Sequence, residues 1–313
     1  MSFLHYMRPH LIQILGGVVI ATLAWASLTT PGFFSIGNLQ AILASTIFVG
    51  MVAVGATLIM VSGAFVSLAL ATTATVSAML FMALLPLGLA AAILFTLIFG
   101  ALIGVVQGIT IGGWNANPVI VTIAAAAVLE GVTVFASQGV TINPAGTAYR
   151  LLNSRMIGLP LGFFALVALV LATEAMLRVT RLGKMIYLLG DRRSAARAAA
   201  LPLVHIGAGV FAISSASAAL AGIFMASFNH SASLLLNRGT LGYDAIAAVL
   251  IGGAAIGGGR GSVFRSMIGV VVIAVTTDLV LLRGFSTGSQ ILLKGLVMVA
   301  FALAVHLRQE KRL

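Results

Sequence analysis

Apolar residues run along this chain in stretches long enough to cross a bilayer, and the polar positions fall between the stretches rather than within them. Punctuated by Pro, Gly, Asn and charge, they predict about ten helices of roughly 20 residues, the length a hydrocarbon core requires. The predicted spans centre on 11–29, 41–61, 64–85, 87–110, 118–137, 159–178, 206–228, 243–260, 263–282 and 289–307. From 9 to 129 there are 121 consecutive residues without Asp, Glu, Lys or Arg, more than a soluble fold can hide. A transmembrane barrel would instead alternate over segments of about ten residues with a polar inner face, and that alternation is absent. The pattern is that of an all-α polytopic membrane protein. No fixed-period repeat and no long hydrophilic stretch interrupts it, so residues 1–313 read as one membrane domain.

Composition agrees: 61% of residues are hydrophobic and 7% charged, where soluble domains carry about 25% charged. The net charge of +11 is concentrated. Arg178, Arg181, Lys184, Arg192, Arg193 and Arg197 crowd one connection, opposed there by Glu174 and Asp191; Arg308, Lys311 and Arg312 close the sequence and Arg8 lies near its start. Basic loops face the cytoplasm, so both termini are expected there, with an even number of crossings between. The lipid bilayer, and no nucleic acid, accounts for the charge. Connections 138–158 and 229–242 then lie outside. With Cys absent there is no disulfide or thiolate metal site, and His5, His10, His205, His230 and His306 have no ligand spacing, so no metal is expected. The first apolar run is long enough to span and lacks a small-residue cleavage site, so no cleavable signal peptide is expected.

Two stretches depart from the general pattern. In "VLIGGAAIGGGRGS" (249–262) six glycines surround Arg260. The apolar stretch 245–256 is about 18 Å long at 1.5 Å per residue, short for a core of about 30 Å, so the glycine run is expected to help complete a broken crossing. A short cytoplasmic turn, or close helix packing through small residues, is the alternative. In "LLGDRRSAARAAALPLVHIG" (188–207), Asp191 stands at a helix start, Arg193 and Arg197 share a face, alanines line another and Pro202 ends it. That is either a solvated loop on lipid headgroups or a helix held against a cytoplasmic protein.

Charges inside the spans are few. Glu130 falls mid-span, where an ionised carboxylate costs roughly 2.5–3.5 kcal/mol. It is expected to be paired, with Lys294 a possible partner, or neutral, or facing a substrate or proton path. Glu174 precedes Arg178 by four residues, a helical salt bridge needing no further role, and Asp278 with Arg283 reads the same way. Asp244 begins the broken crossing and either caps its helix or holds an outer gate. No GxxxxGK[ST] occurs, so the chain hydrolyses no nucleotide, and no nucleophile or acid–base pair marks an enzyme.

These residues resemble a family: the permease subunits of bacterial ABC importers for ribose, xylose and related sugars. "YDAIAAVLIGGAAIGGGRGSV" (243–263) is similar to its Gly-Gly-Arg-Gly-Ser signature, and "QILLKGLVMVAFAL" (290–303) to its last span. "GDRRSAARAAAL" (190–201) is similar to its Gly-x-Asn-x-x-Ala-Ala segment, and "NPVIVTI" (117–123) to its Pro-x-x-x-Thr span start. The resemblance implies a type II importer fold in the bacterial inner membrane, importing a sugar or sugar-like solute. It implies a second permease subunit, identical or paralogous, a cytoplasmic ABC ATPase that uses ATP and Mg, and a periplasmic sugar-binding protein, with no cofactor on this chain. The ATPase-coupling residues are then Gly190, Asp191, Arg192, Arg193, Ala195, Ala196 and Arg197, within 188–205. The gate and pathway candidates are Ser62, Gly63, Phe65, Ser67, Asn117, Asp244, Gly258, Gly259 and Arg260. This chain departs from the family's pattern at Phe65 (usually Asp), Arg192 (usually Asn), Ala199-Ala200 (usually Ser-Gly) and Glu130 (usually Arg). The alternative function is a secondary transporter coupled to protons through Glu130.

Overall fold

The computed structural model describes residues 25, 27–64, 66–144, 146–234, 240–255, 257–286, 288–296 and 299. Phe65, nearly all of the first predicted span, the last one beyond 299, and the terminal basic residues Arg8, Arg308, Lys311 and Arg312 lie outside the described residues. The described residues form helices joined by turns and loops, with a small antiparallel hairpin pairing Arg155–Met156 with Leu159–Pro160. In order come α1 (Ile36–Val61), α2 (Ala69–Leu84, continued by the 3-10 turn Leu85–Leu87), α3 (Leu89–Gly113), α4 (Pro118–Ser137) and α5 (Leu161–Val179). The interfacial α6 (Arg181–Asp191) and the single-turn α7 (Arg193–Ala198) follow, then α8 (Leu203–Asn229), α9 (Thr240–Ile251) and α10 (Val263–Leu282). Seven of these are long and apolar enough to cross a membrane, and α9 is a shorter apolar helix.

Helix starts follow local chemistry. Ser35 Oγ accepts from Asn38 N–H at 3.3 Å ahead of α1, and Thr180 Oγ1 accepts from Gly183 N–H at 3.1 Å ahead of α6. Asn117, a pathway candidate in "NPVIVTI", caps α4: its Oδ1 accepts from Val119 N–H at 2.9 Å, with Pro118 at the first helical position.

The core is built around α1 and α8. From Val49 to Val61 every residue of α1 is buried, as expected of a helix that is apolar on all sides and packed on all sides. Along α3, Gly100, Gly104, Gly108 and Gly112 form a stripe against α8. A Cβ on each would strike α8 in reverse order, at Ala219 and Ser215, then Phe211, Gly207 and Leu203, so the two helices are antiparallel and touch backbone to backbone. Close approach of this kind gains van der Waals contact that lipid tails cannot supply. Gly104→Ala should therefore lower the thermal midpoint in detergent, by about 1–3 kcal/mol of overpacking. Gly113→Ala, whose Cβ would find nothing nearer than 3.7 Å, should change it little. Equal midpoints for the two variants would refute the packing account.

Helix α10 runs antiparallel to α1, with Thr57 and Ser266 hydroxyls hydrogen-bonded at 2.8 Å and Asn38 Nδ2 donating to Asp278 Oδ2 at 2.7 Å. Asp278 is thus held by Asn38, and not by Arg283 as the sequence spacing implied. Arg283 donates instead to Thr29 and Thr30, because both partners come from the chain segment that packs beside the end of α10. Successive spans alternate in direction. α1, α3, α5 and α9 end at the face that carries the basic α6–α7 connection, and α2, α4, α8 and α10 start there.

Candidate functional site

At that basic face, backbones from three separated parts of the chain meet. Gly63 follows α1, Gly190 lies in the last turn of α6, and Gly258 and Gly259 belong to the turn between α9 and α10. Gly259 N–H donates to Val61 O at 2.9 Å. A Cβ on Gly190 would strike Val61 O and Gly259 N; one on Gly258 would lie 2.5 Å from Gly63 Cα and 2.7 Å from Gly190 O. Gly258 also has φ +88°, a conformation that favours glycine. The glycine run is therefore a compact turn, closed by Ala255 N–H donating to Arg260 O at 2.9 Å. It sits at the basic face beyond the end of α9, so it does not complete the crossing.

Two side chains fasten this turn. Tyr187 of α6 donates its hydroxyl to Gly261 O at 2.8 Å, and burial, then the nearby Glu174 carboxylate, pushes the phenol's pKa up. Glu174, only 2% exposed, accepts from Ser262 Oγ at 2.9 Å and from Val263 N–H at 2.7 Å, capping α10. Its expected bond from Arg178 Nε is present at 2.7 Å. Sequence spacing shows the Arg178 pair alone and assigns Glu174 no further role. The structure corrects this: the carboxylate joins α5 to the start of α10, a contact between residues 88 positions apart that no local spacing reveals.

The coupling residues divide. Arg193 Nη2 donates to Ile111 O at 3.2 Å and Arg197 Nη2 to Asn115 Oδ1 at 2.8 Å, placing both cations at the C-terminal end of α3, where the helix dipole favours them. Burial, then the charge of Arg197, lowers the pKa of Arg193. Ala196 is 2% exposed. Ala196 thus faces the chain itself, whereas Asp191, Arg192 and Ala195 remain exposed, as do Arg193 and Arg197 alongside their bonds to α3. Ser62 is buried, its Oγ donating to Ile59 O at 2.7 Å, and Arg260 is exposed.

A second feature begins just inside that face. Residues 64 and 66–68 connect α1 to α2 without helix, and Leu68 N–H finds Thr122 Oγ1 at 3.3 Å. Such backbone survives in a bilayer where protein or a wet cavity surrounds it. Here Ser67, Thr72, Thr75, Glu130, Ser137 and Tyr243 help line a cavity of ≈ 580 Å³ between α2, α4 and the start of α9. Glu130 lies about 18 Å along α4 from the basic face and accepts from Thr72 Oγ1 at 3.2 Å. Lys294 is not its partner: Lys294 Nζ pairs with Asp244 Oδ1 at 2.7 Å, both buried. Asp244 therefore anchors α9 to the segment after α10 and is not the cap of its helix.

Seven apolar helices of spanning length among the described residues, a non-helical connection lined by a polar cavity, and glycine-tight contacts at one face define a multi-pass membrane permease. Residues 38–302 match the family described as the permease component of the branched-chain amino acid transport system, and the chain belongs to that family. It is 30% identical to the ribose import permease protein RbsC of Escherichia coli over 299 residues, 93% of this chain and 92% of that protein. Its identity to the ribose import permease protein RbsC of Haemophilus influenzae is 28%, over 94% and 93% of the two chains. To the L-arabinose ABC transporter permease protein AraH of Azospirillum brasilense it is 26%, over 94% and 87%. No solved structure matches the chain.

Proposed function

We propose that the chain is one of two permease subunits, identical or paralogous, of an ATP-driven sugar importer in a bacterial inner membrane. The whole chain is a single type II permease domain of ten crossings with both termini cytoplasmic. A cytoplasmic ABC ATPase binds and hydrolyses ATP with Mg, and a periplasmic binding protein delivers the solute. The relatives named for ribose and L-arabinose make a pentose the first solute to test.

The observation that carries this reading is the contact of Gly190 with both the end of α1 and the turn before α10. The segment 188–205 is thereby joined through backbone to two crossings, so a push on α6–α7 moves both without slack. The exposed Asp191, Arg192, Arg193, Ala195 and Arg197 are the surface offered to the ATPase. With the ATPase co-purified, Arg192→Glu combined with Ala195→Glu should cut solute-stimulated ATP turnover and uptake in proteoliposomes at least tenfold. Unchanged turnover and uptake would overturn the coupling role. Uptake by this chain alone, driven by a pH gradient without ATP, would favour the proton-coupled transporter instead.

A further inference from the structure

We propose that the cavity between α2, α4 and α9 is a water-filled station for an uncharged, hydroxyl-rich solute. The Glu130 carboxylate is the group that turns anionic solutes away, sugar phosphates and sugar acids among them. This deepens the importer reading and rests on it for the direction of transport, though not for the chemistry of the cavity.

Three observations converge. The volume, ≈ 580 Å³, falls within the roughly 300–1,000 Å³ of small-molecule sites. The lining presents oxygen: hydroxyls of Ser67, Thr72, Thr75 and Ser137 around one carboxylate. Ser67 is only 5% exposed, yet its Oγ has no partner, and the Ser137 Oγ is also buried without one. Buried hydroxyls ordinarily find partners; these two lie under the cavity lining at its opposite ends, and a change of rotamer would bring either to water or to a solute's hydroxyls. Among the described residues, no Lys, Arg or His lines the space. A carboxylate accepts hydroxyl donors with charge-assisted strength and repels a like charge the more strongly as the surroundings become less polar. Facing a wet cavity also answers how α4 tolerates an acid at mid-span.

The chain contains no cysteine, so single reporters can be introduced without background from the chain itself. Ser137→Cys and Thr75→Cys, made separately, would be labelled with cationic and anionic methanethiosulfonates of similar size, in membrane vesicles holding the chain with its ATPase. Both positions should react, and with rates taken relative to a free thiol in solution the cationic reagent should be faster by about tenfold or more. Glu130→Gln should bring that ratio to within about threefold. No reaction with either reagent, or a ratio that Glu130→Gln leaves intact, overturns the proposal. Should Glu130→Gln assemble poorly, the parent reporters decide alone: equal rates, or preference for the anionic reagent, refute it. Labelling needs no ATP, so it succeeds or fails independently of ATP-driven uptake.

Discussion

Gly258→Ala is expected to destabilise the protein by about 2–5 kcal/mol, combining about 1–2 for a left-handed backbone with about 1–3 for overpacking. The added methyl would lie 2.5 Å from Gly63 Cα and 2.7 Å from Gly190 O. Those are backbone atoms at the ends of two other elements, with no rotamer through which to yield. ATP-driven uptake should fall further than stability alone explains, because separating Gly258 from Gly190 loosens the joint between α6 and the two crossings. Gly257→Ala is the control, since a Cβ there meets nothing within 4 Å. Thermal midpoints in detergent, read beside uptake, check the claim. If the two alanine variants melt together, the backbone convergence is looser than described.

Glu174→Ala should cost about 3–5 kcal/mol, the range for removing one partner from a buried charged cluster. Most of the loss comes from leaving Ser262 Oγ and Val263 N–H without an acceptor, at roughly 1.5–3 kcal/mol per bond to a charged group. Arg178 contributes less: its side chain is 65% exposed, and exposed ion pairs are worth about 0–1 kcal/mol. The expected order of thermal stability is therefore parent, Arg178→Ala, Glu174→Gln, Glu174→Ala, with the glutamine retaining an acceptor for the Val263 amide. A loss in Arg178→Ala as large as in Glu174→Ala would show that the ion pair, and not the cap on α10, holds the joint.

Much of the architecture is written in one dimension because bilayer crossing is a one-dimensional demand. The predicted bounds of α4 and α10 match the helices to the residue, since Pro118 after Asn117 and the polar Ser262 mark their starts. A short helix in this region is legible from the apolar stretch 245–256, although the helix itself runs earlier, over 240–251. The place of the glycine run along that crossing is not, since composition shows that backbones approach there but not which ones. The stripe Gly100, Gly104, Gly108 and Gly112 repeats the small-xxx-small spacing that marks a helix-packing face, yet nothing in the sequence points to α8 as its partner.

The candidate site divides in the same way. Positions 190 and 258–259 stand out as glycines in unusual company, and the structure brings them into contact with Gly63. The side-chain pairings inferred from proximity in sequence are the weakest part. Lys294 chose Asp244 over Glu130, and Asp278 took Asn38.

The order of amino acids was therefore sufficient for what is additive along the chain: a membrane protein of many apolar helices, its basic connection, its family likeness and the places where helix breaks. Burial against lipid and cytoplasmic positive charge act on each segment separately, so they can be read segment by segment. Which buried polar groups meet was settled in three dimensions, because a carboxylate or guanidinium in a dry interior takes whichever partner packing brings within about 3 Å, and that partner came from 50 to 240 residues away.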